Sequence, residues 1–346
     1  MELERIKESL SIVQHPEFKQ DIVSLGMVEL QEVNEKLVVT VTFRKAKDPF
    51  AKAIERNIIN TILTKFPELE GKLLLNVNKP EVAEKNNAPA EIKAHKIIAV
   101  ASGKGGVGKS TVTANLAVAL SRKGYKVGIL DADIYGPSMP KMFGVEDYSP
   151  YLENVDGRDR IIPAEKDGIK INSIGFYLPA DQALIWRGPM ASNALKQLLH
   201  DTLWGELDFL LIDMPPGTGD IHLTLINEIT IDGAVIVSTP QQIALADVIR
   251  GIEMFQNQKI KIPVLGMIEN MAWFTPAELP ENKYYIFGRD GGKQLAEKIG
   301  LKLLGQIPLV QSVCESADNG AVTQLGATGV EKYFVDAAEQ IVENMK

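Results

Sequence analysis

Residues Gly103 to Thr111 read Gly-Lys-Gly-Gly-Val-Gly-Lys-Ser-Thr and follow the apolar run Ile97-Ile98-Ala99-Val100-Ala101-Ser102. The spacing G-x-x-x-x-G-K-S/T, set between a strand and a helix, is that of a phosphate-binding loop. Glycines let the main chain curl until successive N–H groups point inward, and the helix that begins there adds its positive end. The cradle implies ATP. Gly103, Lys104, Gly105, Gly106, Val107 and Gly108 form the turn, and Lys109 reaches the β- and γ-phosphates. Ser110 offers its hydroxyl to Mg2+, and Thr111 sits within reach of the α-phosphate. Lys104 is a second cation in the loop. It is either a solvated charge beside an anion or, as the spacing K-G-G-V-G-K-S favours, a lysine that crosses to a partner subunit's nucleotide and stabilises transition-state charge.

Phosphoryl transfer also needs a metal holder and a group that places the attacking water. Leu130 ends one apolar run and is followed by Asp131-Ala132-Asp133, while Phe209-Leu210-Leu211-Ile212 leads into Asp213-Met214-Pro215-Pro216-Gly217-Thr218-Gly219-Asp220. In a parallel sheet such strand ends gather on the side of the phosphate loop. Asp213 is expected to hold Mg2+ directly or through water, with Asp131 one layer behind the metal. Asp133 would orient the water, and Gly217 would give its N–H to the γ-phosphate. An aspartate after a strand is often only a cap or turn residue. The longer strings around these three weigh toward chemistry.

The elements that must position these groups follow from periodicity. After residue 95, short apolar runs alternate with helical segments. Strands are expected at 97–101, 127–130, 169–174, 209–212, 234–238, 264–268 and 303–307. Helices are expected at 109–123, 189–204, 241–256, 291–299 and 330–345. That alternation predicts an α/β domain: a mostly parallel sheet with helices on both faces. Ahead of it lies a small α+β domain, residues 1–79. Its helix spans 3–13, its strands 26–33, 36–43 and 72–77, and a second helix 49–66; Asn34-Glu35 makes a hairpin turn. The polar, proline-containing stretch 80–95 reads as a linker, leaving 96–346 as the ATPase domain.

Acidic residues outnumber basic ones 45 to 37, a formal charge of −8, which argues against coating nucleic acid. The first seven residues carry charges where a signal peptide needs an apolar core. No apolar run approaches the ~20 residues that cross a bilayer. Cys314 is the only cysteine, so an intrachain disulfide is excluded. The cytoplasm is expected, with no membrane and no nucleic acid as partner. Cys314 reads as a small buried apolar residue, and His15, His95, His200 and His222 lack ligand spacing and read as ordinary histidines.

The loop 103–111, the segment Asp131-Ala132-Asp133-Ile134-Tyr135-Gly136-Pro137-Ser138 and the segment 213–220 resemble the Mrp/ApbC family of deviant P-loop ATPases, relatives of MinD, ParA and the nitrogenase iron protein. Arg187-Gly188-Pro189-Met190, Thr239-Pro240-Gln241, Glu269-Asn270-Met271 and Ile286-Phe287-Gly288 match as well, so the likeness spans residues 95–345. His15-Pro16-Glu17 and Asp21-Ile22-Val23-Ser24-Leu25-Gly26 resemble the small domain that often precedes it. The resemblance implies a homodimer that hydrolyses ATP slowly and carries iron–sulfur clusters to apoprotein clients, with Asn270 contacting adenine. Cluster-holding members have C-x-x-C where this chain has Pro276 and Leu279, and Asp48-Pro49 replaces the front domain's usual Cys-Pro. A cluster bound transiently on borrowed ligands and ATP-driven scaffolding without a cluster both stay open. So do a MinD/ParA-like positioning ATPase and a nucleotide-gated adaptor. The acidic C-terminal helix is expected to pack on the sheet.

Overall fold

The computed structural model describes residues 3–16, 18–34, 36–43, 48, 50–78, 92–177, 188–258, 260–327 and 329–346. Glu17, Glu35, Pro49, Arg187 and residues 80–91 of the expected linker lie outside them. The chain divides into two compact units, Met1–Asn87 and Ala88–Lys346.

The first unit opens with helix α1 (Leu3–Ser9) and a 3-10 turn, followed by a short antiparallel pair, β1 (Gln14–His15) and β2 (Gln20–Asp21). Strands β3 (Val28–Val33) and β4 (Lys36–Thr42) form a hairpin in which Val33 faces Lys36. Asn34, at φ 50°, supplies the left-handed turn that a two-residue connection needs. Helix α2 (Ala51–Lys65) then crosses over to β5 (Leu73–Asn78), which lies parallel to β4. Ile54, Ile58 and Ile62 fall four apart on α2 and are buried in one core with Leu37, Val39 and Val41, which alternate along β4.

In the second unit β6 (Ala94–Ala101) leads through the glycine loop into α3 (Lys109–Arg122), then β7 (Val127–Asp131) and the short α4 (Met139–Met142). A hairpin, β8 (Leu152–Val155) and β9 (Arg158–Ile161), precedes β10 (Ala164–Lys166) and β11 (Ile169–Ser173). There follow α5 (Gly188–His200), β12 (Leu207–Asp213), α6 (Asp220–Glu228), β13 (Gly233–Ser238), α7 (Gln242–Gln256) and β14 (Val264–Glu269). The chain closes with α8 (Gly291–Ile299), β15 (Leu303–Gln306), α9 (Gln311–Asp318) and α10 (Glu331–Asn344). Eight strands form one sheet in the order β10-β11-β7-β12-β6-β13-β14-β15. Only the edge pair β10–β11 is antiparallel.

Both faces are covered, as near-continuous apolar strands require. Along β6, Ile98 and Val100 point to a core shared with α3 and α10, while Ile97, Ala99 and Ala101 point to one shared with α5 and α7. Helix α10 buries Phe334, Ala337, Ala338 and Ile341 and packs on α3 and β15. Periodicity did not disclose α4, the β8–β9 hairpin, β10, α6 or α9. Each is short or follows a proline- or glycine-rich stretch, where neither a 3.6 nor a 2.0 period has room to repeat. No helix among the described residues is long and apolar enough to cross a membrane.

Candidate functional site

The loop after β6 curls because Gly106 and Gly108 stand at φ 80° and 79°, a region that side chains disfavour. Its surroundings enforce small residues too. A Cβ on Gly103 would stand 2.4 Å from the Asp247 backbone, and one on Gly108 would stand 2.3 Å from the Asn270 amide nitrogen. The curl opens on a cleft of about 240 Å³ whose walls include Gly105, Lys109, Ser110, Thr111, Asp133 and Pro216.

Strand register brings the acids together. Asp213 ends β12 directly beside Asp131, which ends β7. Asp213 is fully buried. Its Oδ2 lies 2.8 Å from Lys109 Nζ and accepts the Ser110 hydroxyl at 2.6 Å, and its Oδ1 accepts the Thr113 hydroxyl at 2.8 Å. Two hard oxygen donors, Ser110 Oγ and Asp213 Oδ2, thus meet at the mouth of the loop beside a lysine. That set suits Mg2+, which takes one or two protein oxygens and completes its shell with phosphate and water. Thr113, one helical turn beyond Lys109, was missed by motif reading; its i+4 spacing on α3 is the signal that would have found it.

Asp131, expected one layer behind the metal, is fully buried and ties down the loop that follows β7. Its Oδ1 accepts the Asp133 N–H, and its Oδ2 accepts the N–H groups of Ser138 and Met139 and the Ser173 hydroxyl. Both oxygens are engaged in closing the 131–139 loop, because that loop doubles back onto the strand end. Burial, and then the negative charge of Asp213, push its carboxyl up to about 7. Asp133 sits nearer the cleft, 3.8 Å from Lys109 Nζ, and accepts the N–H groups of Tyr135 and Gly136 in an Asx turn. Burial raises its carboxyl as well, against the pull of Lys109.

Gly217, Asn270 and Cys314 were singled out in the sequence as well. The Gly217 N–H donates to the Ser102 carbonyl at 3.0 Å, which ties the segment after β12 to the start of the phosphate loop. Asn270 is buried and donates its side-chain amide to the Val107 carbonyl at 2.9 Å, which makes it a clamp on the loop. Cys314 is exposed on α9, not buried, because its face of that helix is the solvent side; the neighbouring Asp318 charge raises its thiol. Lys104 is exposed; its carbonyl accepts the Ser102 hydroxyl at 3.0 Å, and its ammonium makes no ion pair among the described residues. His15 is a core histidine, its Nε2 2.9 Å from Asp48 Oδ2. His222 is 1% exposed on α6; neither ring nitrogen has a well-directed partner, and burial lowers its pKa to about 4.

No group of three or more His, Cys, Asp or Glu among the described residues can hold a metal ion. Pro276 lies in the wall of a separate cleft of about 680 Å³ with Trp273, Phe274, Leu309 and Tyr333. With one cysteine per chain, this protein does not supply the four thiolates of a cluster, alone or as a pair.

The family model of ParA, described as the NUBPL iron-transfer P-loop NTPase, matches residues 93–345. A relative from Aquifex aeolicus named iron–sulfur cluster carrier protein is 45% identical over 334 residues, 89% of this chain and 89% of that one. A solved nucleotide-binding protein from Archaeoglobus fulgidus in complex with ADP is 40% identical, with a TM-score of 0.58 over 67% of this chain and 89% of its own. The cell division ATPase MinD of Pyrococcus furiosus is 25% identical, with a TM-score of 0.52 over 72% of this chain and 99% of its own. With that match over residues 93–345 and the loop, lysine and strand-end acids assembled at one mouth, the chain belongs to the NUBPL iron-transfer family of P-loop NTPases.

Proposed function

We propose that this protein is a Mg2+-dependent ATPase that works as a homodimer and uses slow ATP turnover to handle iron–sulfur clusters for apoprotein clients. The observation that carries it is the convergence of Lys109, Ser110 and Asp213 within 3.2 Å of one another beside the curled amides of Gly105 to Gly108. Lys109 then neutralises the β- and γ-phosphates, and the amides orient them. Ser110 and Asp213 would hold Mg2+, which would supply charge neutralisation at the terminal phosphate. Asp133, 3.8 Å from Lys109 Nζ, orients the attacking water. Lys104, exposed and unpaired among the described residues, reaches the partner's nucleotide, which makes turnover depend on dimerisation. The proposed domains are 1–79 and 96–346, joined by a linker at 80–95.

The cluster is cargo in this reading, supported by the relatives' name and by the family match. Its ligands come partly from outside the chain, because one exposed cysteine per subunit falls short of a thiolate set. Helix α10 buries its apolar face on α3 and β15, which gives no support to a membrane lever at the C-terminus. Two measurements test the proposal. Phosphate release must fall in Lys109→Ala and Asp133→Ala variants; equal release by all three proteins overturns the ATPase. Anaerobic incubation with iron, sulfide and a small thiol must yield a visible chromophore that activates an apoprotein; a colourless protein overturns the cargo.

A further inference from the structure

A cleft of about 390 Å³ in the second unit is walled by the residues that lead into β6 and β12, by the β8–β9 hairpin and by the end of α5. The phosphate loop leaves the opposite end of β6, roughly 25 Å away for an eight-residue strand. The two sites are therefore separate.

Local sequence sets the charge of this cleft. Asp156 and Gly157 stand at φ 52° and 78°, the left-handed pair of a two-residue hairpin turn, and Val155 faces Arg158 across it. Alternation then puts Arg158 and Arg160 on one side of β9, toward the cleft. Asp159 falls on the other side, where the Asn154 amide donates to it at 3.1 Å. The hairpin is held in place by its neighbours. Ile161 donates its N–H to the Asp201 carbonyl and accepts that of Leu203, each at 2.8 Å, and Arg160 Nη1 donates to the His200 carbonyl at 2.8 Å. Lys93 stands at the foot of β6, its carbonyl accepting the Leu207 N–H at 2.8 Å.

Three cations, Lys93, Arg158 and Arg160, thus share one concave wall, and the only carboxylate among the lining residues is Asp156, which the turn requires. On a chain with a formal charge of −8 this is a local reversal of sign. Glu153 stands directly across from Arg160 on β8, yet neither Arg160 nor Lys93 makes an ion pair among the described residues. The partly buried guanidinium of Arg160 uses only Nη1 within the protein, so most of its donors are left for a ligand. A cleft lined by one sign of charge concentrates ions of the other. Val155 and Leu203 give the same cleft an apolar side.

We infer that this cleft is a second ligand site, distinct from the nucleotide site, and that it takes a small organic anion. A doubly charged head, a phosphate monoester or a dicarboxylate, sits on Lys93, Arg158 and Arg160, and an apolar body lies against Val155 and Leu203. The planar fork of an arginine matches two oxygens of either head.

The test is calorimetric titration of the full-length protein, in excess Mg-ADP to occupy the phosphate loop, with phenyl phosphate, with benzene-1,2-dicarboxylate and with uncharged phenol. The anions should bind and phenol should not, and the tighter anion identifies the head group. Arg160→Gln should weaken that binding by about tenfold, the worth of a hydrogen bond to a charged group. Lys93→Gln, a change at an exposed side chain that disturbs no packing, should weaken it by about threefold. Absence of heat with both anions overturns the inference. So does anion binding that both variants leave unchanged, which places the anion elsewhere. Phenol binding as tightly as the anions overturns it too, since the cations then contribute nothing.

Discussion

Asn270, just beyond the end of β14, reaches back to hold the Val107 carbonyl, Nδ2 to O at 2.9 Å, and so fixes the phosphate loop from two strands away. A residue that contacts adenine would govern which base is chosen. A clamp governs how well the loop is formed for any triphosphate. Asn270→Ala should therefore weaken Mg-ATP and Mg-GTP by the same factor, about tenfold from the loss of one buried hydrogen bond. Competition titrations check this, and a selective loss for ATP would assign Asn270 the adenine role instead.

Lys104 and Lys109 share the loop but not the environment. Lys109 is buried against Asp213, whereas Lys104 is exposed. Lys109→Ala leaves a buried carboxylate without its cation, at a cost of about 3–5 kcal/mol in stability, and abolishes nucleotide binding. Lys104→Ala should change stability by no more than ~0.5 kcal/mol and keep ATP affinity. Its phosphate release should fall by about a thousandfold if it acts across subunits. Urea unfolding and phosphate-release assays separate the two; native turnover in Lys104→Ala rejects the cross-subunit role.

Asp48 holds the first unit together from within. It pairs with the buried His15 and accepts the Phe50 N–H at the start of α2 at 2.8 Å. Asp48→Ala should destabilise that unit by about 1–3 kcal/mol. Amide exchange in β3 and β4 should speed up while exchange in β6 and β12, and ATP affinity, stay as they were. Mass-resolved hydrogen exchange on the full chain is the check.

His222 gives the fold a measurable acid limb. Its folded pKa is depressed from 6.5 to about 4, so the unfolded chain binds the proton more readily between those values. The sign follows: its contribution is whole above pH 6.5 and is lost as the pH falls toward 4, by at most about 3 kcal/mol. His222→Leu should flatten the dependence of the urea midpoint on pH across that window. An unchanged slope assigns the limb to other groups.

The phosphate loop, the strand-end positions of Asp131, Asp133 and Asp213, and the parallel α/β sheet were all legible in the chain itself. Glycine spacing, a lysine at a fixed offset and apolar runs of strand length are local facts, and local sterics turn them into local shapes. Bounds of the long elements follow for the same reason: α3 was expected at 109–123 and ends at Arg122. What each acid binds was not legible. That Asp131 closes a loop, that Thr113 steadies Asp213 and that Asn270 clamps Val107 depend on partners 7, 42, 100 and 163 residues away. The exposure of Cys314 depends likewise on which side of α9 meets the solvent. A hydrogen bond between distant residues leaves no periodic trace, since either partner alone is compatible with many neighbours. Only the packed sheet, by setting the register of β7 against β12 and β13 against β14, selects one.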